Sequence, residues 1–386
     1  MPLRFHLLPV LLSGFLLGLI LPAFAFGQNQ DFLISERTIS RQQGLVSKQV
    51  HCGVQDSDGF VWLGTAQGLQ RYDGQKFILY TREKNGLQDN YVISVQEDFD
   101  HNLWILYGYP GTVQLSNGKC DVLNLKTGKL KSLHDFLGKR FPELKKGFMT
   151  EIQATVKKEL IITFFPVPNK LETWRYGPQG VNKIADELIR FRVRNAVVVA
   201  LTRNQKVVEF NMQGRVLSEQ EQVVNGNSTD YLGELPDGNT GFCSFPLRQG
   251  NHLSDYQFFT LNRKTGKKMP LPSLEGSGIQ VPDLIGWPTT YDVLSGNSLL
   301  TNGKGELVIL DGQHWISLNQ RSEQPDRPKT AGIVFGYFTT RDGQHWVCSN
   351  DGLKIFTITK RKFRHLLSQD VISFPNISDH QTRTIC

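Results

Sequence analysis

Three stretches of the chain repeat one phrase: DGFVWLGT at 58–65, DHNLWIL at 100–106 and DGQHWVCS at 342–349. In each, an acidic residue stands four places before a tryptophan and an apolar residue follows it. Aligned on Trp62 and Trp346, the likeness extends further: six residues on, each copy has Gly-Leu, at Gly68-Leu69 and Gly352-Leu353. A fourth copy, 297–316, fits the frame without the tryptophan. Leu299 holds its place, Gly305 holds the Gly place, and Asp311-Gly312 answers to Asp73-Gly74. Trp62 and Trp104 are 42 residues apart, and Leu299 and Trp346 are 47 apart.

Each copy spells strand, tight turn, strand, tight turn, strand. At the first turn the acidic residue caps its own backbone and Gly supplies a positive φ. The tryptophan strand is short and apolar, so it is expected to be buried on both faces. A second hairpin, LNLKTGK at 123–129, recurs as LNRKTGK at 261–267. With 36 Gly, 24 Phe, 10 Tyr and 6 Trp, the composition favours strands joined by tight turns. One such unit cannot bury both of its faces alone, so units must stack. Self-similarity at this period predicts an all-β fold, a seven-bladed β-propeller of four-stranded antiparallel blades, with six steps of about 47 residues between Trp62 and Trp346.

On this reading Trp62, Trp104 and Trp346 are core wedges rather than ligand platforms. The middle, 148–290, keeps strand-like runs at 159–165, 195–202, 207–212 and 256–261 but lacks the phrase. It reads as three degenerate blades, with an inserted domain as the alternative. The most helix-like stretch, 182–192, is expected to be at most a short loop helix. Residues 31–39, DFLISERTI, are expected to lie antiparallel against the last blade as its outermost strand, because propellers close to avoid a bare edge. The alternative gives that place to 361–367.

The N-terminus reads as an export signal. Residues 7–21 are uncharged and almost wholly apolar, Arg4 precedes them, and Ala23-Phe24-Ala25 fits a small-x-small cleavage site. An uncleaved anchor is the alternative. The domain plan is therefore a signal peptide at 1–25, a propeller sensor domain at 26–370, and the start of a further blade or second propeller at 371–386. Five scattered cysteines, Cys52, Cys120, Cys243, Cys348 and Cys386, form no metal-ligand spacing and no dense disulfide framework. The net charge of +7 is thinly spread. Its densest cluster, Lys360, Arg361, Lys362 and Arg364, reads as a solvated hairpin edge, and no nucleic-acid motif accompanies it.

The run 44–80 resembles the first blade of the two-component regulator propeller repeats, the periplasmic sensor region of hybrid two-component systems and related membrane regulators. The pattern is met by Asp56, Gly59, Trp62, Gly64, Thr65, Gly68, Leu69, Arg71, Tyr72, Asp73 and Gly74. The second copy departs from it, with Asn102 where Gly is usual and Leu106 in the place of Gly64. The late copy keeps Asp342, Trp346 and Gly352, with Ser349 in the Thr-like place. The resemblance covers about a third of the chain. It implies a receptor rather than a catalyst, followed in family members by a second propeller, a membrane helix and a cytoplasmic output. HQTRTIC at 380–386 would then begin a further blade, cut before its turn.

Other chemistries fit poorly. Asp56-Ser57-Asp58-Gly59 opens like a calcium loop, but Phe60 and Gln67 occupy ligand places. The Asp-box of sialidases needs Ser and Asp where Gln55 and Ser57 stand. No carboxylate pair or nucleophile–base set emerges from spacing, and His314 and His345 fall in different repeat phases. No catalytic residue, metal site or cofactor is expected. The expected function is a periplasmic ligand-sensing propeller of a two-component phosphorelay, with an exported lyase or glycosidase, or an exported interaction scaffold, as alternatives. The ligand is unknown, with a carbohydrate as one candidate. The partner would be a second copy, a homodimer formed through downstream domains. Candidate ligand residues are the loop aromatics Tyr109 in GYPG and Trp174 and Tyr176 in WRYGP.

Overall fold

The computed structural model describes residues 32–111, 115–137, 147–167, 170–194, 196–204, 206–220, 227–234, 240–246, 257–262, 265, 267–270, 290–292, 296–301, 307–310, 315–318 and 333–360. The signal segment, residues 361–386, most of the basic cluster and His314 lie outside them. Within the described residues, helix is limited to a 3-10 turn at Arg41–Gln43 and two short helices, α1 (Arg82–Asn85) and α2 (Leu133–Leu137).

The strands fall into four-stranded antiparallel units. Strand β1 (Phe32–Ile39) comes first and is used last. Unit 1 is β2 (Val50–Gln55), β3 (Val61–Thr65), β4 (Gly68–Tyr72) and β5 (Phe77–Tyr80). Unit 2 is β6 (Val92–Glu97), β7 (Asn102–Gly108), β8 (Ser116–Asn124) and β9 (Leu130–Ser132). Unit 3 is β10 (Phe148–Ala154), β11 (Leu160–Val167), β12 (Lys170–Gly177) and β13 (Gly180–Asp186). Unit 4 is β14 (Leu188–Arg194), β15 (Val197–Thr202), β16 (Val207–Asn211) and β17 (Val216–Gln220). Unit 5 is β18 (Asn227–Glu234), β19 (Thr240–Pro246), β20 (Gln257–Leu261) and β21 (Lys268–Pro270). Unit 6 is β22 (Thr290–Tyr291), β23 (Ser298–Thr301), β24 (Leu307–Leu310) and β25 (Trp315–Ser317). Unit 7 is β26 (Val334–Thr339), β27 (Gln344–Ser349) and β28 (Gly352–Lys360), completed by β1.

Each unit is an antiparallel meander; units 2 and 3 are joined into one eight-stranded sheet through the Met149–Gly118 pair. The first strands of the units touch in succession, β2 to β6, β10, β14, β18, β22 and β26, and β26 touches β2 again. The N-terminal strand pairs with the far end of the chain, from Phe32 opposite Lys360 to Ile39 opposite Leu353. This is the antiparallel pairing expected of the N-terminal segment. The stretch 182–192 is not a loop helix: it forms the end of β13 and most of β14, with Glu187 at φ 58° turning between them. Strand wins there because Ile184, Leu188, Phe191 and Val193 bury themselves in one cluster with Ile161 of β11 and Val198 of β15.

The core lies in the seams between units. Trp346, Phe338 and Cys348 of unit 7 pack on Val50, Leu63 and Tyr72 of unit 1. Trp62 and Leu69 pack on Val92, Val95 and Leu103 of unit 2. Trp104 and Leu106 pack on Met149, Leu160 and Tyr176 of unit 3. Each tryptophan thus points at the next unit, and the second strand that carries it is buried along its length, completely so in β3 and β7. Close approach is built in at Gly64, where a Cβ would come within 2.4 Å of Cys52 Sγ.

Candidate functional site

The repeated phrase proves to be a turn with a carboxylate folded into it. In unit 1 the acid that meets the indole stands six places before the tryptophan, not four. Asp56 Oδ2 accepts from Trp62 Nε1 at 2.7 Å, and Oδ1 accepts from the backbone N–H groups of Asp58 and Phe60 at 3.0 and 2.9 Å. Unit 2 repeats this with Asp98, which accepts from Trp104 Nε1 at 2.9 Å and from the N–H groups of Asp100 and Asn102 at 2.8 and 2.9 Å. Asp56 and Asp98 are buried, whereas Asp58, Asp100 and Asp342 are exposed. The place of Gly59, at φ 98°, is taken in unit 2 by His101 at φ 57°, so His101 rather than Asn102 is the departure from glycine there. The hydroxyl after the tryptophan has its own task. Thr65 Oγ1 donates to Gly68 O at 2.8 Å and Ser349 Oγ donates to Gly352 O at 2.9 Å, closing the same turn in both copies. Asp73 caps the outer hairpin, accepting from Gln75 and Lys76 N–H at 2.9 and 2.8 Å beside Gly74; these bonds hold its carboxyl below the usual range.

The residue just before the capping position ties one unit to its neighbour. Glu97 Oε2 accepts from the Ser57 N–H of unit 1 at 2.8 Å and from the Lys158 ammonium of unit 3. Gln55 Oε1 accepts from the Arg341 N–H of unit 7 at 2.8 Å, and the Arg341 guanidinium donates to Asp56 O at 2.8 Å. Thr339 donates to the Asp292 carboxylate of unit 6. These bonds lie at one end of the first strands and hold successive turns in step.

The three proposed ligand aromatics fall in two places, Tyr109 in unit 2 and Trp174 and Tyr176 in unit 3. Tyr109 lies in the connection after β7 and is 47% exposed. Beside it, Asn117 Nδ2 donates to Gly108 O at 3.0 Å, and Lys119 pairs with Asp89 at 3.0 Å. Trp174 and Tyr176 were expected in a loop, but both belong to strand β12. WRYG at 174–177 is a worn copy of QRYDG at 70–74: Tyr176 packs on Trp104 of unit 2 at 5.2 Å just as Tyr72 packs on Trp346 of unit 7 at 6.1 Å. The shared Arg-Tyr-before-Gly spelling carried this equivalence in the sequence. Trp174 is half-buried, with Nε1 donating to Glu172 at 3.2 Å. Against a burial effect that pushes it up, Lys170, Lys183 and Trp174 pull the Glu172 carboxyl down to about 2.

Two features escaped the sequence reading. His51, almost fully buried on β2, donates from Nδ1 to Val92 O at 2.7 Å between Tyr91 and Phe335, and burial holds its pKa down. The other is the arginine row of β14, Arg190, Arg192 and Arg194. Among the described residues no group of three or more His, Cys, Asp or Glu is placed to hold a metal ion. Burial pushes the Cys52 thiol up to about 12 and the Cys348 thiol well up, which leaves neither suited to act as a nucleophile. No helix of the described residues is long and apolar enough to cross a membrane.

No family model matches the chain, and no curated protein matches its sequence. Solved structures do resemble it. The extracellular domain of the putative hybrid two-component system BT3049 from B. thetaiotaomicron superposes with a TM-score of 0.54 at 14% identity, over 83% of this chain and 41% of that one. The extracellular domain of BT4673 from the same organism gives 0.52 at 15% identity, over 84% of this chain and 40% of that one. A streptogramin B lyase gives 0.51 at 13% identity, over 85% of this chain and 98% of the enzyme. These likenesses establish a shared all-β architecture of four-stranded antiparallel sheets. The chain spans about two fifths of the length of the sensor domains.

Proposed function

We propose that the chain is a seven-bladed β-propeller that serves as the ligand-sensing domain of a two-component signal-transduction protein, on the periplasmic side of the membrane. The observation that carries this is the pairing of the sensor-type phrase at 56–74 with a fold that superposes on two extracellular sensor domains. The cyclic order of first-strand contacts and the β1–β28 closure support the seven-bladed ring. In this reading the region is a receptor, not an enzyme and not a nucleic-acid binder. Its ligand is a small molecule, with a carbohydrate the first class to try, and a homodimer formed through downstream segments passes the signal on. A ring with rigid blades suits that task, because a ligand touching several connections at one rim biases how the ring packs on those segments.

A second reading, an exported lyase, is favoured by the near-complete coverage of the streptogramin B lyase. One experiment separates them. The purified chain is screened against neutral and acidic saccharides by thermal melt and calorimetry, and is also incubated with a cyclic streptogramin. Sensing predicts a saturable ligand that raises the melting temperature, by about 2.7 kcal/mol of added stability at a hundredfold excess over Kd. It also predicts that Tyr109→Ala weakens that ligand without lowering the melting temperature of the free protein. Turnover of the cyclic substrate overturns the sensing reading, as does a panel in which nothing binds.

A further inference from the structure

Among the described residues nine large hydrophobic side chains are exposed, and four of them gather at one end of units 2 and 3. Tyr109 and Leu115 lie in the connection from β7 to β8, Phe148 opens β10, and Phe165 stands near the end of β11. This is the end opposite the phrase turns, where Glu97, Gln55 and Arg341 tie the units together. Phe148 and Phe165 are cross-strand partners, so their rings share one face of the sheet, and they are 36% and 37% exposed. The Tyr109 N–H donates to Leu115 O at 3.0 Å, which closes the described ends of the connection on each other.

The rings are held from beneath. Gly118, at φ 80°, lies so close under Phe148 that a Cβ there would come within 2.6 Å of the ring. The Cα partner of Gly118 is Met149, next to Phe148, and this pair joins units 2 and 3 into one sheet. Ser116 Oγ donates to Met149 O at 2.6 Å across the same junction. One face of the Phe148 ring is thus seated on bare backbone, while the residue stays open to solvent. The residues flanking Gly118 are polar. Lys119 Nζ donates to Asp89 Oδ2 at 3.0 Å, and Asn117 Nδ2 donates to the same oxygen at 3.3 Å and to Gly108 O at 3.0 Å. The Lys119 side chain is 45% exposed, and Asp89 takes only one of the donors of its ammonium.

Area and charge select the occupant. The four side chains present on the order of 300–400 Å² of apolar surface, whereas a stable protein interface takes about 800 Å² from each partner. Lys and Asp are also depleted at the centre of protein interfaces, yet here they stand beside the rings. Aromatic faces bordered by a hydrogen-bonding pair of balanced charge suit a small molecule with a flat apolar face and a polar edge. We propose that Phe148 and Phe165, extended by Tyr109 and Leu115, form a platform on which a saccharide stacks the C–H face of one sugar ring, while Lys119, steadied by Asp89, donates to its hydroxyl oxygens. Because Asp89 offsets the charge of Lys119, the sugar is neutral. The biological meaning of the platform rests on the sensing reading; the binding itself does not.

The test is calorimetry and sugar-proton NMR of the full chain with cellopentaose, mannopentaose and maltopentaose, with sorbitol as a polyol that lacks the ring. At least one pentasaccharide is expected to bind saturably with its ring C–H signals moved upfield, the signature of an aromatic face, and sorbitol is expected not to bind. Phe148→Leu and Phe165→Leu keep apolar bulk but remove the ring; each should weaken binding about three- to tenfold and diminish the upfield shift. Phe165→Tyr should retain both. Lys119→Met should weaken binding about threefold while leaving the upfield shift at saturation in place. If Phe148→Leu fails to fold, Phe165→Leu decides. No pentasaccharide bound overturns the proposal, as does binding without the upfield shift or binding that neither leucine variant changes. Self-association of the chain that both leucine variants abolish, with no sugar bound, assigns the patch to a second copy and also overturns it. A saccharide bound with no response to these variants strikes the platform and leaves the sensing reading intact. Stacked binding in a protein that turns over the cyclic streptogramin keeps the platform and overturns the sensing reading.

Discussion

Trp62 in unit 1 and Trp346 in unit 7 occupy the same place in their sheets and are almost equally buried, at 2% and 3% exposure. They are held differently. The indole N–H of Trp62 meets the Asp56 carboxylate at 2.7 Å. In unit 7 the corresponding position is Thr340, whose hydroxyl turns to Asp342 at 2.5 Å, and Trp346 Nε1 is buried with no hydrogen-bond partner. A buried, unpaired donor costs about 1–3 kcal/mol. Unit 7 tolerates it because the ring of Trp346 is packed by Phe338 at 5.6 Å and Tyr72 at 6.1 Å, and because β1 adds a full strand to the sheet. The difference separates two roles of the phrase. The apolar wedge is common to units 1 and 7, and the carboxylate clasp is a reinforcement that unit 7 does without.

The comparison can be broken most severely at the closure. Deleting residues 32–39 strips β28 of its partner along eight pairs. Amide protection around Trp346 should fall by roughly ten-thousandfold in hydrogen exchange, and by less around Trp62. Loss confined to 45–80 would mean that β1 supports unit 1 instead. Next in size, Trp62→Ala should cost about 3–5 kcal/mol in chemical denaturation, since it leaves a cavity in the seam with unit 2. A neutral result would remove the wedge role at its best example. Asp56→Ala keeps the wedge but strands the indole and two turn N–H groups, for an expected cost of about 2–3 kcal/mol; a loss equal to that of Trp62→Ala would show the clasp to be as necessary as the wedge. In the opposite direction, Thr340→Asp should stabilise unit 7 by about 1 kcal/mol by giving Trp346 Nε1 an acceptor. Destabilisation would show that the unit 7 turn cannot present a carboxylate to the indole.

The smallest effect concerns pH at the seam where units 7, 1 and 2 meet. His51 lies there between Phe335 and Tyr91, and burial lowers its pKa below the ordinary 6.5. The unfolded chain therefore takes up a proton first as pH falls. The contribution is complete above about 6.5 and declines as pH drops toward the lowered folded value. In melts from pH 8 to 5, His51→Asn, which keeps a donor for Val92 O, should flatten this part of the profile. An unchanged slope would assign the pH dependence to other groups.

Much of the architecture was legible because it repeats. The Trp-to-Gly-Leu spacing, the DGQ hairpins and the KTGK turns are local rules, and local rules recur in letters as well as in space. Asn124 and Asn262 cap their copies of the KTGK turn identically, with Thr127 N–H and Thr265 N–H each at 2.9 Å. The candidate ligand residues were less legible. Trp174 and Tyr176 were placed in a loop because WRYGP ends in turn residues, yet the strand runs through to Gly177 before turning. The partner that makes Tyr176 a core residue, Trp104, lies 72 positions away in another unit, and no local pattern announces such a contact.

Residue type and spacing alone set the period, the second-strand wedge, the turn chemistry at Asp73-Gly74 and the segment at 31–39 that was free to close an edge. These properties arise from side-chain type and spacing along one short segment, which is where alternation and turn preference act. Which acid clasps the indole was settled by the fold. Asp58 and Asp56 both stand near Trp62 in the chain, but the turn folds Asp56 inward and leaves Asp58 in solvent. The fold also decided that Glu97 would join three units. That outcome depends on which sheet lies beside which, a property of the stack and not of any one repeat.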